Sequence, residues 1–223
     1  MQRKIGSALF IGALLLTLAF PSFAARGYEA YYDVLGASPW YDGVKSTIDY
    51  QNVTVGSIGT AAWCGIDNYG NAQNIKWVQG GWVKWRNASA QVYWEYTDKD
   101  GNYARGYDGA PANAETYEQS HTNANMEWTH GITVYKTVAW SQFAPIEFRK
   151  AQYGAEMVDS PADHTPGKVA SKNNFASTMV RPAGGVYANA GLQTVANTAQ
   201  QGNIEQYGGN GSGNFRTWDS RND

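Results

Sequence analysis

The chain has 223 residues, a formal net charge of −2 and aromatic side chains at 14% of its positions. Near-balanced charge excludes an electrostatic attachment to nucleic acid or to an acidic membrane surface. A single cysteine, Cys64, excludes an intramolecular disulfide, so packing must hold the fold.

Residues 1–24 read as a secretory signal peptide. Arg3 and Lys4 give a positive n-region, Ile5 to Phe20 an apolar stretch, and Pro21-Ser-Phe-Ala24 a small-residue cleavage site. The apolar stretch is short for a membrane span. The mature chain is therefore expected to be secreted, extracellular and free of the membrane once the leader is cut after Ala24. Residues 25–182 are expected to form one domain.

Within that domain the apolar pattern has period 2 and is broken by turn residues at short intervals. Tyr28 to Tyr41 reads as a strand or irregular arm. Gly43 to Val55 alternates, with Val44, Ser46, Ile48 and Tyr50 on one face. Thr60 to Ile66 is a short strand carrying Trp63, and Asp67 to Asn71 is a turn cluster. Ile75 to Trp85 places Trp77, Gln79, Gly81, Val83 and Trp85 on one face and Val78, Gly80 and Trp82 on the other. Gln91 to Tyr96 sets Gln91, Tyr93 and Glu95 against Val92, Trp94 and Tyr96. Asp98-Lys-Asp-Gly101 is a hairpin turn leading to a strand over Asn102 to Tyr107. Further strands are expected over Glu115–Gln119, Asn125–Thr129, Gly131–Trp140, Pro145–Lys150, Gln152–Ser160 and Asn174–Val180.

Many short strands without helical periodicity predict an all-β fold: a sandwich, jelly roll or barrel. From 183 to 223 Gly, Asn, Gln and Ala dominate. Too little apolar surface is available there to offset ordering entropy, which predicts a flexible C-terminal tail with at most a transient helix over Gln193–Gln201.

Few residues offer chemistry. His121, His130 and His164 are scattered and share no ligand spacing, so no metal site is expected. No phosphate-cradling loop or nucleophile elbow appears, and no cofactor is implied. One polar residue is out of place: Gln79 sits mid-strand among tryptophans, beside Gly80 and Gly81. Glycines in a strand interior mark a close approach of backbone or ligand. Glu156 similarly follows Gly154-Ala155. Glu95 and Glu127 each lie between apolar neighbours, and strand alternation turns such residues to solvent.

Three segments, Trp63-Cys-Gly-Ile-Asp67, Val78-Gln-Gly-Gly-Trp82 and Val92-Tyr-Trp-Glu-Tyr96, resemble the central strands of the eqolisin glutamic peptidases. Tyr153-Gly-Ala-Glu-Met-Val-Asp-Ser160, followed by His164-Thr-Pro-Gly167, resembles a segment of the neprosin family. The resemblance spans Trp63 to Val180 and implies an all-β fold, an antiparallel β-sandwich of the concanavalin-like jelly-roll kind. It implies Gln79 as the catalytic glutamine and Glu156 as the catalytic glutamate. Glu127, in Asn125-Met-Glu-Trp128, is a rival because the eqolisin glutamate lies in a similar Ala-Glu-Trp context. The disulfides of those families are absent here. The implied chemistry is water attack on a peptide bond: a partly desolvated Glu as base and then acid, and a Gln amide as orienter and oxyanion donor.

Trp77, Trp85 and Tyr93 are expected to line a concave face that holds an extended peptide or glycan. The function expected from the whole is a secreted glutamic endopeptidase-like hydrolase. The alternative is a non-catalytic carbohydrate- or peptide-binding module, with the aromatic rings as a stacking platform.

Overall fold

The computed structural model describes residues 28–35, 40–68, 75–158, 162–191, 194–197, 202–208 and 213–222. The leader and its cleavage site lie outside them. Among the described residues fifteen strands run in chain order. They are β1 (Tyr28–Leu35), β2 (Tyr41–Asp49), β3 (Gly59–Asp67), β4 (Trp77–Trp85), β5 (Gln91–Thr97), β6 (Tyr103–Tyr107), β7 (Ala114–Thr122) and β8 (Asn125–His130). Then come β9 (Thr133–Ala139), β10 (Lys150–Val158), β11 (Asn173–Pro182), β12 (Ala188–Asn189), β13 (Thr194–Asn197), β14 (Gly202–Gln206) and β15 (Phe215–Asp219).

The strands form two antiparallel sheets, as the alternation predicts. One sheet has the order β13-β1-β10-β3-β4-β5-β6; the other has β14-β15-β11-β2-β7-β8-β9, with β12 paired to β11. Each strand turns alternate residues inward. Val44 and Ile48 of β2, Trp82 of β4, Tyr117 of β7, Met126 and Trp128 of β8, Tyr153 of β10 and Phe175 of β11 meet in the core between the sheets. A second, smaller cluster of Ala61, Trp63, Val83 and Tyr93 lies on the outer face of the seven-stranded sheet, with Trp85 packed against it. An apolar cluster outside the core marks that face as unusual.

The Asp98–Gly101 turn forms as expected. Gly101 has φ +86°, and the Asp98 carboxylate accepts from the backbone N–H groups of Asp100 and Asn102 at 2.9 and 2.8 Å. Pro145–Arg149 is not a strand: it is irregular up to the start of β10 and contributes Phe148 to the core.

The expectation of a flexible tail from 183 to 223 needs correction in its described parts. β13 joins the first sheet beside β1, and β14 and β15 join the second beside β11. The described part of the helix expected over Gln193–Gln201 is strand β13. Composition misleads here because a strand added to an existing sheet gains backbone hydrogen bonds whatever its side chains. Phe215 is fully buried and stacks on Phe175 at 4.2 Å.

The chain end also braces the far end of β3 and β10. Buried Asp163 accepts from the N–H groups of Ser57, Ile58 and Gly59 at 2.6, 2.8 and 2.9 Å. Arg221 donates to the Asp163 carbonyl at 2.7 Å and to the Asp219 carboxylate at 2.6 Å. The Thr60 hydroxyl lies 2.9 Å from the Glu156 carbonyl and 2.8 Å from that of His164.

Candidate active site

Strands β10, β3, β4 and β5 lie side by side, and their register sorts the outer face into rows. One row runs Glu95–Gln79–Gly65–Gln152, the next Tyr93–Gly81–Trp63–Gly154, and the third Gln91–Val83–Ala61–Glu156. Gln79 and Glu156 therefore share one face. One strand and one row lie between them, and that row carries Gly81, Trp63 and Gly154, all buried.

The glycines beside Gln79 have separate reasons. A Cβ on Gly81 would sit 2.1 Å from the Ala62 carbonyl oxygen, so β3 and β4 close on each other there. Gly80 faces the core. A Cβ there would lie 2.7 Å from Gln119 Nε2, 3.0 Å from the Tyr135 hydroxyl and 3.1 Å from Trp128 Cδ1. The opposite sheet uses this opening. Trp128 Nε1 donates to the Gln79 carbonyl at 2.8 Å, and the Tyr135 hydroxyl donates to the Tyr93 carbonyl at 3.0 Å. The backbone under the site is thus held from the core side.

Gln79 itself is 1% exposed. Its Nε2 donates to the Tyr93 hydroxyl at 2.5 Å and to Glu95 Oε1 at 3.0 Å. The Tyr103 hydroxyl donates to the other Glu95 oxygen, Oε2, at 2.7 Å. Gln79 Oε1 is buried with no hydrogen-bond partner. Both amide N–H groups are committed, and the carbonyl oxygen is the uncommitted end.

Burial raises the Glu95 carboxyl above its ordinary range, against the opposing pull of Tyr103 and Arg105. Burial, with the charges of Glu95 and Glu156, pushes the Tyr93 hydroxyl well above the usual tyrosine range. Tyr93 stays protonated, and Glu156 is near enough for its charge to be felt there.

The expected lining residues separate by exposure. Trp77, Trp85 and Tyr93 all belong to the outer face, but Trp77 and Tyr93 are buried. The accessible aromatic strip is Trp85 with Tyr103 and Tyr107, the last two 39% and 41% exposed. Arg105 lies 4.9 Å from the Trp85 ring and 5.6 Å from that of Tyr107.

Glu127 is not near Gln79. It sits on β8 of the eight-stranded sheet, between core residues Met126 and Trp128, and so faces away from the sandwich on the opposite side. Glu95, by contrast, is drawn into the site and not turned to solvent. The signal in the sequence was its shared parity with Tyr93, but only the register Gln79↔Glu95 brings the two side chains together.

His130 and His121 lie apart from this face, whereas the His164 carbonyl shares the Thr60 hydroxyl with that of Glu156. His130 joins Glu115 and Asp108 at 2.8 and 2.9 Å, and His121 stacks on Trp140 at 3.8 Å between ring centroids. Cys64 is buried, and its thiol, raised by burial, lies 3.3 Å from Gln119 Oε1. No group of three or more His, Cys, Asp or Glu side chains placed to hold a metal ion occurs among the described residues.

No family model matches the sequence, and no curated protein matches it. Solved structures do. The structure is similar to scytalido-glutamic peptidase bound to a peptide-based transition-state analogue: TM-score 0.59, 13% identity, 88% of this chain and 98% of that one. It is similar to SCP-B, a member of the eqolisin family of peptidases, in complex with the tripeptide Ala-Ile-His: TM-score 0.55, 12% identity and the same coverage. The fold is that of the eqolisin glutamic peptidases. At these identities the likeness is one of fold. Within the eqolisin-like fold of this chain, the Gln79 network occupies the outer face of the seven-stranded sheet.

Proposed function

We propose that this protein is a secreted glutamic endopeptidase-like hydrolase whose catalytic pair is Gln79 and Glu156. The observation that carries the reading is a buried glutamine amide, fixed by two acceptors, on the same face as Glu156 in an eqolisin-like fold. The Oε1 of that amide is buried without a partner, which costs stability unless the oxygen serves an incoming donor.

In this reading an extended peptide lies across the outer face. The Gln79 Oε1 oxygen accepts from the attacking water and aims it. Glu156 takes a water proton as the oxygen adds to the scissile carbonyl carbon, then gives that proton to the leaving amine as the C–N bond breaks. The leader with its cleavage site at Ala24 supports export.

The test is to express the full-length protein with its own leader and sequence the N-terminus of the secreted product. That product is incubated with a denatured protein from acidic to neutral pH, beside Gln79→Ala and Glu156→Ala. The expected result is cleavage by the wild type that disappears in both folded variants. A wild type that is secreted and folded but cleaves nothing at any pH overturns the peptidase reading. Binding of glycans or peptides at the Trp85–Tyr107 strip is then the next thing to measure.

A further inference from the structure

The Gln79 amide has no hydrogen-bond donor to spare. The amide has two N–H donors, and both are used, on the Tyr93 hydroxyl and the Glu95 carboxylate. The described orientation sets both N–H groups against acceptors, whereas the reverse would set Gln79 Oε1 against Glu95 Oε1. Tyr103 secures Glu95 from the other side at 2.7 Å. Gln79 therefore has no donor left for a developing oxyanion. Tyr93 has. Its oxygen accepts from Nε2, which leaves its own O–H proton free to point elsewhere.

We propose that the Tyr93 hydroxyl is the catalytic hydrogen-bond donor to the tetrahedral oxyanion, while Gln79 acts through its carbonyl oxygen on the water. This rests on the peptidase reading above and assigns the donor within it. Three further observations support it. Tyr93 lies in the row between those of Gln79 and Glu156, beside Gly81, with Gly154 in the same row. Its backbone is held by the Tyr135 hydroxyl at 3.0 Å, so the ring is anchored. Its raised pKa keeps the proton in place, which suits a donor and excludes a phenolate nucleophile. The Gln79 N–H also polarises the phenol oxygen, and a hydroxyl that accepts becomes a stronger donor. No proton leaves Tyr93 in the step: the water proton goes to Glu156, and the carbonyl electron pair goes to the oxygen that Tyr93 meets.

The experiment compares wild type with Tyr93→Phe, which removes one oxygen from a buried ring. Expected is a fall in kcat of about 10²- to 10³-fold with KM little changed, as for loss of one oxyanion donor. Binding of a phosphinate peptide, a tetrahedral mimic, should weaken by a similar factor while the parent peptide binds as before. Should that variant not fold, 3-fluorotyrosine at position 93 keeps the shape and alters only the donor, and kcat should change. Wild-type kcat in the folded Tyr93→Phe or fluorinated protein, with Gln79→Ala and Glu156→Ala inactive, overturns this assignment and leaves the peptidase reading standing. A wild type that neither cleaves peptides nor binds the phosphinate overturns both.

Discussion

Gln79 and Glu95 are directly paired residues on neighbouring strands, and the Gln79 amide donates to the Glu95 carboxylate at 3.0 Å. Between them they turn a flexible side chain into a fixed one. Glu95→Ala removes an acceptor from both Gln79 and Tyr103. The expected outcome is a stability loss of about 1–3 kcal/mol from the stranded donors. The Gln79 side-chain N–H signals, slow to exchange in the wild type, should become fast in a nitrogen–proton spectrum. Glu95→Gln keeps an acceptor oxygen and should lie nearer wild type in both respects.

Gly81 tests the closure of β3 on β4. In Gly81→Ala the new methyl would meet the Ala62 carbonyl oxygen at 2.1 Å and Trp63 Cα at 2.7 Å, both backbone atoms that cannot rotate away. The two strands would have to separate beneath the site. A loss of about 3 kcal/mol is expected, at the upper end of ordinary overpacking, read as a lower denaturant midpoint. An unchanged midpoint would show that the strands spread freely.

His130 predicts a pH dependence of stability. Burial alone would lower its pKa, but Glu115 and Asp108, one on each ring nitrogen, outweigh that and raise it. A raised folded value means the imidazolium form is stabilised by folding. The contribution is fully present below the unfolded value of about 6.5 and disappears as pH rises through the folded value. The Asp108 side chain is 47% exposed, so solvent screening keeps the effect below about 1 kcal/mol. Urea midpoints should fall across that window in the wild type and stay flatter in His130→Gln.

Phe215 tests the place of the C-terminal strands. It is fully buried against Phe175. Phe215→Ala should cost about 3–5 kcal/mol, and deletion of residues 214–223 should cost more by removing β15 and the Arg221–Asp163 contact. A truncated chain with wild-type thermal stability would mean the segment is dispensable.

Local pattern alone determined most strands from β2 to β11 and the all-β class, because side-chain alternation is a property of a few consecutive residues. It also put Trp77, Gln79 and Gly81 on one face and Asp98–Gly101 in a turn. What alternation cannot supply is which face is the core, how strands are registered, and which sheet a strand joins. Those depend on pairings between residues far apart in sequence. Glu95, Glu127 and Glu156 look alike locally, each beside apolar neighbours. Only the tertiary structure sets Glu95 against Gln79, Glu156 on the same face and Glu127 on the far side of the sandwich. The C-terminal residues follow the same rule. Their composition says they cannot build a core of their own; the described parts add strands to sheets of the rest of the chain and lend Phe215 to its core.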